Sequence, residues 1–90
     1  FTVIGRFSNS KNMWLNRSAI LFQLGYKQKT NSYILFSECI KHAQSNEFFI
    51  QKAIGWALRE YGKTNLEAVK TFVAQTQLKP LSKKEALKNL

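Results

Sequence analysis

Apolar residues recur at helical spacing over 13–26, 33–43, 47–61 and 66–74, and this rhythm constrains the chain more than any other feature. A half-buried strand needs apolar and polar residues to alternate, and no stretch alternates long enough to build one. An all-α fold is therefore predicted. Thr64 with Glu67 and Ser82 with Glu85 have the separation of capping boxes, in which each partner satisfies an orphaned backbone N–H. Helices are expected to begin near residues 65 and 83. The KPLS segment at 79–82 holds the only proline, which disfavours helix before it and introduces a last short helix. With further breaks near 27–31 and 44–46, six helices are expected, at about 1–8, 13–26, 32–43, 47–61, 65–76 and 83–90.

A weak internal repeat emerges when the chain is slid by about 35 residues. WLNRSAILFQLGY, from Trp14, then overlies FIQKAIGWALREY, from Phe49. Leu15 meets Ile50, Asn16 meets Gln51, Arg17 meets Lys52 and Tyr26 meets Tyr61. KTN also occurs twice, starting at Lys29 and at Lys63. Antiparallel helical hairpins stacked as a repeat superhelix, with a helical lead-in and a terminal cap, account for this pattern. Chance similarity between two amphipathic helices is the competing explanation.

Ninety residues suit one domain with a modest core, since a chain this size buries about 60% of its unfolded surface. A hydrophobic content of 44% with 13% aromatics is too rich for a disordered chain. No apolar run approaches the roughly 20 residues that span a bilayer, so no membrane partner of that kind is expected. Fourteen Lys and Arg oppose five acids, for a formal charge of +9. That balance points to a polyanionic partner, nucleic acid before an anionic membrane surface. The lone Cys39 has only His42 near it and is read as an inert thiol, and His42 as a surface helix residue; no metal and no cofactor is expected. The chain opens at Phe1 with no charged leader before an apolar segment. No signal peptide is expected, and the chain reads as trimmed from a longer protein.

Two residues sit where packing alone would not put them. In FFIQKAIGWALREYGK, Ile50, Ile54, Ala57 and Tyr61 fall within roughly 60° of one another and form a core stripe. Lys52, Trp56, Arg59 and Lys63 fall on the opposite face, which places the largest apolar side chain of the helix among cations. Nucleic-acid surfaces combine cations for phosphates with aromatic planes for bases or sugars. The bland alternative is that Trp56 packs on a neighbouring helix while the cations snorkel around it. Gly55 beside it costs about 0.5 to 1 kcal/mol in a helix interior, so it suggests close approach of another backbone or a ligand. Arg17 is a lone cation in an apolar stripe with Met13, Trp14, Ile20, Leu21 and Leu24. Burying it requires a carboxylate, for which Glu38, Glu47 and Glu60 are available, or an anionic ligand such as phosphate. No phosphate-cradling glycine loop, metal-ligand cluster or nucleophile elbow is present, and there is no Asp.

NMWLNRSAILFQLGYKQKT (12–30), FFIQKAIGWALREYGKTN (48–65) and LKPLSKKEALKNL (78–90) closely resemble the C-terminal portion of the bacterial DNA alkylation repair glycosylases of the AlkD type. The resemblance covers nearly the whole chain. It implies a HEAT-like repeat fold, with 1–90 as one C-terminal portion of such a domain. It also implies a monomeric, cytoplasmic enzyme that hydrolyses the N-glycosidic bond of positively charged N3- or N7-alkylated purines in double-stranded DNA. By the resemblance, Arg17 in WLNR holds the DNA backbone at the lesion, and Trp56 in IGW lies on the concave surface against the sugar-phosphate. Both are thus candidate catalytic residues. Arg59 would contact phosphate, and Lys27, Lys29, Lys52 and Lys63 are assigned to a basic field on helical phase and charge only.

One departure stands out. The family's acidic centre lies in a WWD-like motif upstream of the stretch that begins this chain, and nothing of it is present here. In such enzymes the carboxylate stabilises the cationic sugar that forms as the base leaves, a kind of electrostatic term that is usually the largest in catalysis. The chain is therefore expected to carry the Arg/Trp half of a site and to be inactive alone. The competing readings are a non-catalytic HEAT-like module that binds nucleic acid, and a protein-binding scaffold whose charge serves solubility.

Overall fold

The computed structural model describes residues 2–88, and its regular structure is helical throughout those residues. The helices are α1 (Thr2–Asn9), α2 (Met13–Leu21), α3 (Ser32–His42), α4 (Phe48–Gly62), α5 (Leu66–Gln75) and α6 (Pro80–Ala86), with a single 3₁₀ turn at Lys27–Lys29. The longest, α4, packs against both α2 and α6, so that α2, α4 and α6 form one layer. α1 packs on α2, α3 touches α2 and α4, and α5 touches α4 and α6, which makes the second layer. The predicted stripe of α4 is the centre of the core: Ile50, Ile54 and Ala57 are buried, with Leu58 and Ala53 widening the band. Each large aliphatic buried in this way stabilises the fold by about 1.5–3 kcal/mol. Phe36 stacks on Phe72, with ring centroids 4.3 Å apart, and joins α3 to α5.

The repeat is written in hydrogen bonds as well as in helices. The Asn16 side-chain amide donates to the Ser10 carbonyl at 2.9 Å, and the Gln51 amide donates to the Ser45 carbonyl at 3.1 Å. The Asn12 backbone N–H donates to the Ser10 hydroxyl at 3.0 Å, and that of Glu47 to the Ser45 hydroxyl at 3.1 Å. Residues 10, 12 and 16 thus recur as 45, 47 and 51, all displaced by one offset. In each hairpin an amide on the second helix closes the turn that leads into it. The two KTN segments also coincide in role, because Asn31 caps α3 by accepting from Ile34 and Asn65 caps α5 by accepting from Ala68.

Several expected boundaries move, each for a local reason. α2 stops at Leu21 and not at 26. The Gln23 side chain accepts from the Asn31 N–H at 2.5 Å and donates to the Asn31 carbonyl at 3.1 Å, which draws the chain into a turn. Gly25 takes that turn with φ +89, a region closed to most side chains. Thr64 and Glu67 do not form a capping box, since Asn65 caps α5. Nor do Ser82 and Glu85, because α6 begins at Pro80, where a missing N–H costs nothing, and both residues lie inside it. Phe1 and residues 89–90, included in the expected first and last helices, lie outside the described residues.

His42 is not the free surface residue expected. The Ser8 hydroxyl donates to Glu38 Oε2 at 2.5 Å and lies 3.1 Å from His42 Nε2, tying α1 to α3. Burial lowers the His42 pKa, with Glu38 acting against it. Cys39 is fully buried, and burial pushes its thiol far up, consistent with an inert group.

Gly55 explains how α6 settles on α4. A methyl group there would run into the Glu85 Cβ and stand 3.0 Å from the Ser82 carbonyl oxygen. The Ser82 hydroxyl, completely buried, donates to the Gln51 carbonyl of α4 at 2.9 Å and fastens the same crossing. Gly55→Ala is therefore expected to destabilise the fold by about 1–3 kcal/mol, the usual cost of overpacking, despite the better helix propensity of alanine. Denaturant unfolding of the two proteins measures it, and an alanine variant as stable as the parent would contradict the crossing.

Candidate nucleic-acid interface

Burial of one face of α4 forces the other outward. Phe48, Lys52, Trp56, Arg59 and Lys63 recur at intervals of three and four, so they share that outer face. Helices α2 and α6 flank it and turn a strip into a groove of about 320 Å³. Arg17 comes from α2, Phe48, Phe49, Lys52, Ala53, Trp56 and Arg59 from α4, and Glu85 from α6. Arg17, Lys52, Trp56 and Arg59, singled out separately in the sequence, thus meet in one place. Lys63 does not join them: its ammonium pairs with Glu60 at 3.1 Å, one turn further along. Lys27 borders a different, smaller pocket beside Tyr61, and Lys29 lies in the exposed 3₁₀ turn. The basic field assigned to these lysines is dispersed over the surface.

Aromatic planes form the apolar part of the groove. Trp56 keeps 38% of its surface exposed while Ala53 and Ala57 on either side of it are buried. Phe48 and Phe49 are 55% and 45% exposed, and their rings meet edge to face at 5.4 Å. Trp14 of α2 lies against Phe49 with centroids 5.2 Å apart and planes tilted by 39°. The Lys52 ammonium stands 5.9 Å from the Phe48 centroid, within cation–π range. Exposed rings beside cations offer faces to a sugar or a base and charge to a phosphate.

Three cations and one carboxylate set the electrostatics. Glu85 Oε1 accepts from Lys52 at 3.0 Å, and Oε2 lies 3.4 Å from Arg59 Nη1. The hydrogen bond from Lys52 is the main cause that holds the Glu85 carboxyl below its ordinary value, although desolvation opposes it. Among the described residues, Glu38 is engaged with Ser8 and His42, Glu60 with Lys63, and no carboxylate pairs with Arg17. The structural ion pair considered for it does not form among these residues, which leaves a half-buried guanidinium open to an anion.

Phe48, Phe49, Ala53 and Glu85 were not foreseen as lining residues, nor was Trp14 as the ring packed against Phe49. Phe48 precedes Lys52 by four residues and Trp56 by eight, so helical phase alone would have placed it on this face. Trp14 and Phe49 overlie one another in the repeat, and the structure packs these two equivalents together. Glu85 carried no sequence signal for this site.

The depressed Glu85 pKa has a defined consequence for acid stability. A carboxylate lowered on folding contributes stability that is complete above its ordinary value of 4.5 and lost as pH falls through the depressed value. The melting temperature should fall as pH drops below 4.5 towards the depressed value, and the fall should be shallower in Glu85→Gln. Parallel acid limbs in thermal melts of the two proteins would contradict the pairing.

Comparison with known proteins bears on the whole chain. Residues 2–90 match the family model described as DNA alkylation repair enzyme. A solved structure from Enterococcus faecalis, described as a predicted DNA alkylation repair enzyme, is 42% identical and superposes with a TM-score of 0.94. That alignment covers 99% of this chain and 42% of the other, so the chain spans less than half the length of its solved relative. No curated protein matches the chain. The match over residues 2–90 and the identity to the solved structure both lead to one conclusion: the chain belongs to the DNA alkylation repair enzyme family.

Proposed function

We propose that this chain is the C-terminal, HEAT-like part of an N-glycosylase that releases positively charged N3- and N7-alkylated purines from duplex DNA, with the α2–α4–α6 groove as its grip on the damaged strand. The observation that carries the reading is Arg17, a half-buried guanidinium with no carboxylate partner among the described residues, on a groove shared with an exposed Trp56. Its planar donor fork suits a phosphodiester. Arg59 and Lys52 extend the same contact along the backbone, and the Trp56 face rests against the sugar of the damaged nucleotide.

The chemistry asks little of a base pocket. An alkylated purine already bears a positive charge, so it departs without being protonated. The difficulty is the cationic sugar left behind, which needs a nearby anion and aromatic faces that attract cations. Trp56 supplies an aromatic face, and the gripped phosphates supply part of the negative potential. The carboxylate that completes the site lies in the upstream part of the longer protein, so this chain alone is inactive.

Release of methylated purine from alkylated duplex DNA tests the reading, with the chain compared to a version extended upstream through the next helices. Release is expected from the extended protein only, and release by neither would sink it. In the extended protein, Arg17→Ala and Trp56→Ala are each expected to slow release by about 10²-fold, the scale of removing one electrostatic stabiliser. Arg17→Ala should also lower the slope of log affinity against log salt by about one. A second reading, a module that binds nucleic acid without chemistry, is favoured by one fact: among the described residues, the only carboxylate lining the groove is held by Lys52 and Arg59. It predicts salt-sensitive binding with no release from either protein.

A further inference from the structure

Glu85 bridges two cations of the groove. Its two oxygens take one cation each, Lys52 at 3.0 Å and Arg59 at 3.4 Å, and those cations stand on either side of Trp56 along α4. Two non-bridging phosphodiester oxygens would present the same pair of acceptors. The carboxylate comes from another helix and is only 14% exposed. Its Cβ is held in place, because α6 lies against Gly55 and the buried Ser82 is bonded to the Gln51 carbonyl. The backbone of Glu85 therefore stays where it is, while its own side-chain torsions leave the carboxylate free to swing off the cations.

We propose that Glu85 is a resident counter-anion of the Lys52/Arg59 phosphate site, which the DNA backbone must displace in order to bind. This rests on the reading of the groove as a DNA grip and adds to it a device that weakens the grip. Arg17, with no carboxylate partner among the described residues, meets phosphate at once. Lys52 and Arg59 meet it only by giving up Glu85. The exchange keeps affinity for ordinary duplex low, so that a protein surveying long stretches of undamaged DNA can leave it. It also conceals part of the positive charge of the groove from nonspecific polyanions.

The test is binding of a short undamaged duplex by the full chain across a range of salt, for wild type, Glu85→Gln and the double variant Lys52→Gln/Glu85→Gln. Glu85→Gln should bind about three- to tenfold tighter than wild type and with a salt slope steeper by about one, because a cation formerly neutralised within the protein now releases counterions from DNA. The double variant should lose both gains. A residue that merely props up the fold would behave in the opposite way, since its loss would weaken binding and leave the slope alone. Weaker binding or an unchanged slope in Glu85→Gln, with wild type binding normally, overturns the displacement proposal and leaves the DNA grip standing. Absence of salt-dependent duplex binding in wild type overturns both. Circular dichroism melts of the same preparations show that each variant is folded at the assay temperature, and a Glu85→Gln protein folded yet no tighter counts against the proposal.

Discussion

At Gly55 a turn of α6 lies so close on α4 that nothing larger than hydrogen fits between them, and the rest of the architecture depends on that approach. It brings the third helix of the layer against the second, buries Ser82 and Ala86, and sets Glu85 beside Lys52 and Arg59. The cost of a helical glycine, about 0.5 to 1 kcal/mol against alanine, is offset by this packing. Without the close approach the outer face of α4 would be a charged strip open on one side. With it, that face becomes one wall of a groove.

Charge in this groove is arranged against its own repulsion. Arg17, Lys52 and Arg59 line one small space on a chain with a formal charge of +9, and like charges so placed raise the free energy of the folded state. One carboxylate relieves two of them, and among the described residues the third has none. That asymmetry is hard to explain by stability, which would be served by pairing Arg17 too. The proposed DNA grip would account for it, with Arg17 making first contact and Lys52 and Arg59 following by exchange with Glu85. The exposed rings of Phe48, Phe49 and Trp56 in the groove, and of Trp14 against Phe49, keep apolar surface in water that burial would remove.

Much of this was legible in the residues, and the losses have identifiable causes. Helical phase located the buried stripe of α4 and the outward Trp56, because 3.6 residues per turn fixes which side chains share a face. The overlay of Asn16 on Gln51 proved to be a shared turn-closing hydrogen bond, and KTN proved to be a shared cap. The capping boxes failed because short-range spacing cannot tell a residue that opens a helix from one a turn inside it. Asn65 and Pro80 opened those helices, and Ser82 and Glu85 were used by α4 instead. The overlong α2 failed because Gln23 bonds to Asn31, a contact outside the period of any helix.

The sequence by itself determined the helical fold, the pairing of repeats and the face on which Trp56 stands. Each of these follows from covalent neighbours a few residues apart. Only the tertiary structure decided that Glu38, Glu47 and Glu60 all leave Arg17 alone, that Lys63, Lys27 and Lys29 lie away from the groove, and that Glu85 lies within it. Those outcomes depend on where α2 and α6 come to rest against α4. Residues 17, 52 and 85 are distant along the chain, and only packing of the core sets the ångströms between them.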